Sequence, residues 1–372
     1  MKEFTTNSLD KFEIHFILGD VSSRGGIERV TITLANSLSS ICKVKLISLY
    51  QTKNKLSFNV SEKVSLEIIN NKHEVSMYNR KMGTVKGLFF DFLYIKKKSG
   101  SLKKIAKSNN AIAITSDVKM TLLAKVSGYK NIIAVEHFEY DVISPILKVV
   151  RKLLYKKISC VISQTEEDKK KYDWLPADKH CVIPNIVEEP NQITCYEKRS
   201  KIVLAVGRLT HQKGFDLLLR SWKRINAPDW KLKIVGEGEE FRNLQYFIKS
   251  NKLTNVILCP FSNAIEQHYN DAKIFVLSSR YEGLGMVLVE ALSYGLACIS
   301  FDCPAGPRTI LNQDNGILIE PENVESLTAY LQELIGNREL QNNMNKSAIA
   351  SIDRFKSSVI IEQWISIIRD VK

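Results

Sequence analysis

The sequence predicts an α/β protein made of two parallel-sheet domains in series. Three observations carry that prediction. Short apolar runs recur through both halves of the chain, helix-length segments separate them, and a proline-flanked stretch near the middle interrupts the pattern before it restarts.

The elements follow in order. Glu13 to Leu18 reads as a strand, Ile27 to Ser40 as a helix and Lys43 to Leu49 as a second strand; further strands are expected at Ala111 to Thr115, Asn131 to Val135 and Cys160 to Ser163. Pro184-Asn185-Ile186-Val187-Glu188-Glu189-Pro190 is the natural linker, because its prolines cannot join a central strand. It divides the chain into domains at residues 1–185 and 186–354. Beyond it, strands are expected at Ile202 to Val206, Leu232 to Val235, Val256 to Cys259, Ile274 to Leu277 and Ala297 to Ser300.

Composition agrees with this plan. The chain has 372 residues, 44% apolar and 25% charged, enough for about two globular domains. No apolar run reaches the length of about 18 residues that a membrane span needs, and the polar opening Met1 to Lys11 lacks the apolar centre of a secretory signal, so a cytoplasmic protein is expected. The seven cysteines are scattered and include no CxxC pair, which supports neither a disulfide framework nor a zinc site.

The net charge of +13 is unevenly placed. Residues 1–190 hold 31 basic and 20 acidic residues, against 22 and 20 in residues 191–372. Arg80 to Lys107 alone has nine basic residues and one acidic residue, interleaved with Leu88, Phe89, Phe90, Phe92, Leu93 and Tyr94. A basic and aromatic segment suits an anionic membrane surface. A merely soluble basic face is the plainer alternative. Nucleic acid is not expected as a partner, since no zinc-finger spacing, RNP-like aromatic motif or basic zipper is present.

Ligands of open parallel sheets bind at the carboxyl ends of the strands, so the strand-to-helix turns carry the chemistry. The turn from Gly19 to Gly26 ends in Gly25 and Gly26 at a helix amino end, where an anion is welcome. Gly207-Arg208-Leu209-Thr210-His211-Gln212-Lys213-Gly214 combines a guanidinium fork, a mobile ammonium and a following helix, which suit a diphosphate gaining charge as a bond breaks. Taken alone, the same residues also suit a solvated turn. Gly236-Glu237-Gly238 reads as tight packing beside a ligand. The most informative stretch is Glu282-Gly283-Leu284-Gly285-Met286-Val287-Leu288-Val289-Glu290. Its glycines let backbone approach a ligand, and Met286 to Ala291 reads as a buried helix whose first amides point at the same spot. Glu290 inside that helix needs a hydrogen-bonding partner, and a pair of sugar hydroxyls would serve as well as a salt bridge.

Together these motifs resemble the retaining glycosyltransferases of family 4, of GT-B fold, over almost the whole chain. The elements are Gly25-Gly26-Ile27-Glu28-Arg29, Val206-Gly207-Arg208 with Lys213-Gly214, Ile234-Val235-Gly236-Glu237-Gly238, Glu282-Gly283-Leu284-Gly285 with Glu290, and Asn315-Gly316. Asp302-Cys303-Pro304-Ala305-Gly306-Pro307-Arg308 is most similar to the amylovoran-type branch that builds bacterial capsules, exopolysaccharides and O-antigens. Thr309 departs from the pattern, standing where many relatives carry Glu.

The resemblance implies two Rossmann-like domains facing each other across a cleft, with residues 355–372 as a helix packing back on the first. It implies that Arg208 and Lys213 clamp the donor diphosphate, that Gly25, Gly26, Gly207 and Gly236 let it approach, and that Glu282 binds donor hydroxyls. Gly283, Leu284, Gly285 and Met286 would offer backbone amides, Glu290 would bind the ribose, and the base would rest beside Phe261. His137, at a strand end in Val135-Glu136-His137-Phe138, matches the family histidine near the donor sugar, though a lone strand-end histidine also serves structure. No metal and no cofactor is implied, in keeping with the absence of any Asp-x-Asp motif; a nucleotide sugar, expected to be a UDP-sugar, is the substrate. The implied acceptor is a glycan on undecaprenyl diphosphate at the cytoplasmic face of the inner membrane. A nucleotide-sugar epimerase of the same architecture and a non-catalytic, membrane-associated sugar-nucleotide binding protein are the rival readings.

Overall fold

A computed structural model of the chain describes residues 12–82, 84–106, 111–137, 139–262 and 264–371. The polar opening Met1 to Lys11, Lys107 and Phe138 lie outside the described residues. The chain forms two compact units, one running to Ile186 and resuming at Ser357, the other spanning Val187–Lys356.

In the first unit the elements are β1 (Glu13–Asp20), α1 (Gly26–Leu38), β2 (Lys43–Tyr50), β3 (Val64–Ile68), α2 (Thr84–Ile105), β4 (Ala111–Thr115), α3 (Val118–Val126), β5 (Asn131–Val135), α4 (Pro145–Tyr155), β6 (Cys160–Ser163), α5 (Glu166–Lys170) and β7 (His180–Val182). The strands lie in the order β3-β2-β1-β4-β5-β6-β7 and all pair in parallel. Alternate residues feed opposite faces. Ile14, Phe16 and Leu18 of β1 enter one core, while Ile17 enters the other, with Met120 and Leu123 of α3.

The second unit contains β8 (Ile202–Val206), α6 (Phe215–Trp222), β9 (Lys231–Val235), α7 (Phe241–Ser250), β10 (Val256–Cys259), α8 (Ile265–Asp271), β11 (Ile274–Leu277), α9 (Met286–Ser293), β12 (Ala297–Phe301), α10 (Gly306–Ile310), β13 (Gly316–Ile319), α11 (Val324–Gly336) and α12 (Arg338–Ser351). Its parallel order is β10-β9-β8-β11-β12-β13. Ala297, Ile299 and Phe301 of β12 pack with α6 and α11, and Cys298 packs with α9 on the opposite face. The last helix, α13 (Ser357–Asp370), belongs to the first unit, where Ile360, Trp364 and Ile368 are buried with the α1 side of the sheet.

Both sheets reverse their strand order once, between β1 and β4 in the first unit and between β8 and β11 in the second. Crevices open at the carboxyl ends of the strands at such points, and they fix where ligands bind.

Two expectations are corrected. On α4, the spacing of Ile146, Val150, Leu153 and Leu154 in the sequence is that of one apolar helical face, yet Ile146 and Leu153 are exposed and, of the four, only Leu154 is buried. Arg151 takes the inward position instead. Its guanidinium stacks 3.8 Å from the Tyr140 ring and donates to the Tyr172 hydroxyl and the Tyr140 carbonyl, each at 3.1 Å. The α2 segment is also less uniformly basic than its sequence: Lys98 is buried, 2.5 Å from Glu74 and donating to the Leu49 carbonyl, and Arg80 forks onto Asp91.

Candidate active site

In the second unit the two turns at the switch point are stitched together. After β8 the chain passes through Gly207 to Thr210 and one 3-10 turn, His211–Lys213, before α6. Gly214 adopts φ +62°, and a Cβ there would lie 2.0 Å from the Ser278 carbonyl oxygen, so no other residue lets the turn dock on the end of β11. The Ser278 hydroxyl donates to the Lys213 carbonyl at 2.9 Å, the Gln212 amide to the Tyr281 carbonyl at 2.9 Å, and the Arg280 backbone N–H to the Gln212 carbonyl at 2.8 Å. The Arg280 side chain braces the same turn: it donates to the His211 carbonyl at 2.7 Å and forks onto Asp216 at 2.8 and 2.9 Å. Burial would raise the Asp216 carboxyl, but these hydrogen bonds hold it below its ordinary range.

That bracing brings Lys213 to Glu282. Lys213 Nζ lies 2.5 Å from Glu282 Oε1, which also accepts from the Ser279 hydroxyl at 2.6 Å, and Glu282 is only 6% exposed. The pair sits at the carboxyl ends of β8 and β11, so an ammonium and a carboxylate face the same switch point. Arg208 is exposed at the other end of the turn, and among the described residues no carboxylate pairs with it.

The two carboxylates differ in surroundings. Glu282 forms an isolated bridge with Ala305, whose φ of +74° and hydrogen bond from Gly306 N–H to the Pro304 carbonyl describe a strained tight turn. The chain then reverses through Gly283 and the buried Leu284, and Gly285, at φ +88°, caps α9. A side chain with a Cβ is disfavoured at that angle. Met286 is half-buried at the first position of the helix, so the first-turn amides of α9 open beside Glu282. One turn further along, Glu290 is buried and accepts from the Tyr269 hydroxyl at 2.9 Å. Gly207 and Gly236 lie in adjacent turns, with Gly207 N–H donating to the Val235 carbonyl and Gly236 N–H to Cys259. Phe261 is half-buried beyond β10. Thr309, in α10, turns its hydroxyl to the Ala305 carbonyl at 3.2 Å.

The first unit supplies a separate set. Gly25 caps α1 and Gly26 opens it, as expected, but the Glu28 carboxylate folds back so that a Cβ on Gly25 would lie 2.1 Å from its Oε2. A phosphate approaching these amides has to displace that carboxylate. His137 follows β5, is half-buried, and lines a pocket with Thr115, Ser116, Gln164, Asn185 and Trp364 among others. Burial alone lowers its imidazole to about 4. His137 is therefore neutral at physiological pH, and the rate profile is expected to show no ionisation of this residue between pH 6 and 8, with His137→Asn retaining more activity than His137→Ala. A pH–rate break near the ordinary histidine value that vanishes in His137→Asn would refute this.

Sequence reading missed Ser279, Tyr269, Arg280, Asp216 and Gln164. Gln164 alone had a readable position, directly after the strand β6. Ser279 meets Glu282 within its own loop, and Tyr269, Arg280 and Asp216 meet their partners only across the fold.

Residues 188–351 match the family model described as Glycosyl transferases group 1. The chain is 30% identical over 368 residues to the amylovoran biosynthesis glycosyltransferase AmsD of Erwinia amylovora, covering 96% of this chain and 99% of that protein. It is 25% identical over 374 residues to the GalNAc-alpha-(1->4)-GalNAc-alpha-(1->3)-diNAcBac-PP-undecaprenol alpha-1,4-N-acetyl-D-galactosaminyltransferase of Campylobacter jejuni, covering 97% of this chain and 99% of that one. A mutant of S. aureus TarM in complex with Fondaparinux, alpha-GlcNAc-glycerol and UDP shares the fold with a TM-score of 0.78, at 14% identity, over 96% of this chain and 99% of the other. The chain belongs to the group 1 glycosyltransferases, and its two Rossmann-like parallel-sheet domains are those of the GT-B fold.

Proposed function

We propose that this glycosyltransferase moves a hexose or N-acetylhexosamine from a UDP-sugar, with retention of anomeric configuration, to a lipid-linked oligosaccharide during synthesis of a bacterial surface polysaccharide. The observation that carries the reading is the meeting of Lys213, Glu282 and the amino end of α9 at one switch point. The relatives support the substrate class, one acting in amylovoran biosynthesis and one on an undecaprenol-linked glycan.

The chemistry follows from charge. As the glycosidic C–O bond to the diphosphate breaks, negative charge grows on the leaving oxygen, and Lys213 and Arg208 stabilise it without a divalent metal. Glu282 holds hydroxyls of the sugar as it becomes oxocarbenium-like. The acceptor hydroxyl attacks from the face the leaving group quits, and its proton passes to the departing phosphate. A panel of nucleotide sugars, scored for nucleoside diphosphate release with lipid-linked acceptor extracts, is expected to single out a UDP-hexose or UDP-N-acetylhexosamine. EDTA should change the rate little, and NMR should show an α-glycoside from an α-linked donor. A β product or a steep metal requirement would sink the corresponding part.

The site of action proposed is the cytoplasmic face of the inner membrane, with the protein held there peripherally. No helix among the described residues is long and apolar enough to cross a membrane. On the first unit, α3 packs against both α2 and α4, and these two helices expose Phe89, Phe92, Leu93, Ile146, Val149 and Leu153. Exposed Lys96, Lys97, Lys103 and Lys104 lie on α2, and Lys152 on α4. Each cation contributes about 1 kcal/mol near an anionic leaflet, and salt screens it. Replacing Lys96, Lys97, Lys103 and Lys104 with Gln is expected to reduce sedimentation with anionic liposomes at low salt while sparing UDP binding. Unchanged sedimentation would remove α2 as the contact.

A further inference from the structure

The turn that carries His137 is held on both sides by side chains arriving from α4 and α5. Glu136, directly before it, is buried and accepts from the Tyr155 hydroxyl at the end of α4. Beyond it, Glu139 pairs with Lys171 at the end of α5, and Asp141 accepts from Lys148 of α4 at 2.7 Å and from Lys171 at 3.3 Å. The Tyr140 hydroxyl accepts from the Trp174 indole N–H at 3.3 Å. Arg151 lies among them, fully buried. Its guanidinium is 3.8 Å from the Tyr140 ring and 5.0 Å from the Tyr172 ring, and it donates to the Tyr140 carbonyl and the Tyr172 hydroxyl.

Stability alone does not call for that cation. Arg151 Nε has no hydrogen-bond partner among the described residues, and a buried guanidinium with an unmet N–H stabilises a fold less than an apolar side chain of similar volume. Burial pushes the Glu136 carboxyl up to about 7, and the Arg151 charge is the largest influence pulling it down, so the two groups act on each other. Their effect reaches His137 through the pleat. Ala134 enters the core on the α3 side of the sheet and Val135 the core on the α1 side, and the Glu136 N–H continues the ladder by donating to the Ile162 carbonyl at 2.9 Å. Alternation therefore puts Glu136 on the α4 side, where Tyr155 meets it, and His137 on the α1 side, where it lines the pocket with Trp364. Fixing Glu136 on one face sets His137 on the other.

We propose that Arg151 is a positioning residue: through Glu136 and Tyr140 it holds the turn after β5 so that the His137 imidazole keeps its place for sugar transfer. The proposal rests on the glycosyltransferase reading above, and it gives a part in the rate to a side chain that reaches no solvent.

The test follows His137 itself, by its imidazole resonances in NMR titrations of the full chain, together with steady-state turnover. Burial alone lowers His137 to about 4 in the wild type. Arg151→Met nearly keeps the volume and removes the charge and both hydrogen bonds, so the turn should loosen, water should reach the ring, and the His137 midpoint should climb by about one pH unit or more toward the ordinary histidine value. His15, buried on β1 against Tyr129, is the internal control and should stay where it is. A purely structural arginine would lower the melting temperature and leave the His137 midpoint unmoved. In turnover, Arg151→Met should lower kcat roughly 10-fold or more with donor KM within about twofold, the loss expected when a group at the reacting site is displaced from a distance. Arg151→Lys keeps the charge without the planar fork and should not restore the rate. Adding Arg151→Met to His137→Ala should cost little further, since both changes act on one group. An unmoved His137 midpoint in folded Arg151→Met overturns the proposal, as do losses that multiply in the double variant. Should Arg151→Met fail to fold, Tyr155→Phe removes only the hydroxyl on Glu136; the midpoint should then rise by a smaller margin, and no rise overturns the proposal. Should the wild-type chain turn over no nucleotide sugar, the transferase reading fails by itself, and the titration still decides whether Arg151 places His137.

Discussion

Lys213→Ala should lower kcat by roughly 100-fold or more, the loss seen when one preorganised group facing developing charge is removed. The structure adds a complication that the sequence does not show. Lys213 Nζ sits 2.5 Å from the buried Glu282, so deleting it also strands a carboxylate that, among the described residues, keeps only the Ser279 hydroxyl as a hydrogen-bond partner. That part of the damage is structural and costs about 1–3 kcal/mol. Glu282→Gln in the same chain removes the stranded charge, and the double variant should regain most of the lost melting temperature. Turnover should not return with it, because neither a neutral amide nor an alanine stabilises a leaving diphosphate. Near-normal turnover in Lys213→Ala, or rescue of kcat together with stability, would reduce Lys213 to a scaffold for Glu282. The pairing also indicates how the ground state is managed. Under the proposed function, an arriving diphosphate would compete with Glu282 for the same ammonium.

What could be read in advance depended on how each residue earns its place. The central strands β1, β4, β8 and β11 are buried on both faces and write themselves as apolar runs; β3, β7 and β13 are edge strands, short or half-exposed, and left no such trace. Glu282 and Glu290 were legible because a single turn and helix carry both. Their partners were not. Ser279 meets Glu282 within one loop and Tyr269 reaches Glu290 from α8, contacts that no spacing rule announces, whereas the Arg280–Asp216 fork forms only when β8 and β11 become neighbours. The inward turn of Arg151 on α4 has the same origin, since only the assembled Tyr140 and Tyr172 make a buried guanidinium tolerable. Periodicity placed an apolar face there, and packing chose another. Lys98 likewise reads as surface charge until Glu74 is brought beside it.

The two carboxylates of the second unit should give opposite phenotypes. Glu290 is buried within α9, and its carboxylate, proposed to bind ribose hydroxyls, accepts from the Tyr269 hydroxyl at 2.9 Å. A hydrogen bond to an ionised group is worth about 1.5–3 kcal/mol, so Glu290→Ala should weaken UDP roughly 10-fold or more. Tyr269→Phe, which removes a hydroxyl but keeps the carboxylate, should weaken it less. Glu282 lies ahead of α9, at the bridge to Ala305, and is assigned under the proposed function to the sugar rather than the nucleotide. Glu282→Ala should therefore leave UDP affinity within about twofold, while lowering kcat/KM for the nucleotide sugar roughly 100-fold through loss of contacts that tighten in the transition state. Calorimetry with UDP, followed by steady-state assays with the preferred donor, separates the two. Equal UDP affinity in both alanine variants would end the ribose role of Glu290, and a large loss of UDP binding in Glu282→Ala would move that residue from the sugar to the diphosphate, acting through the Lys213 it holds.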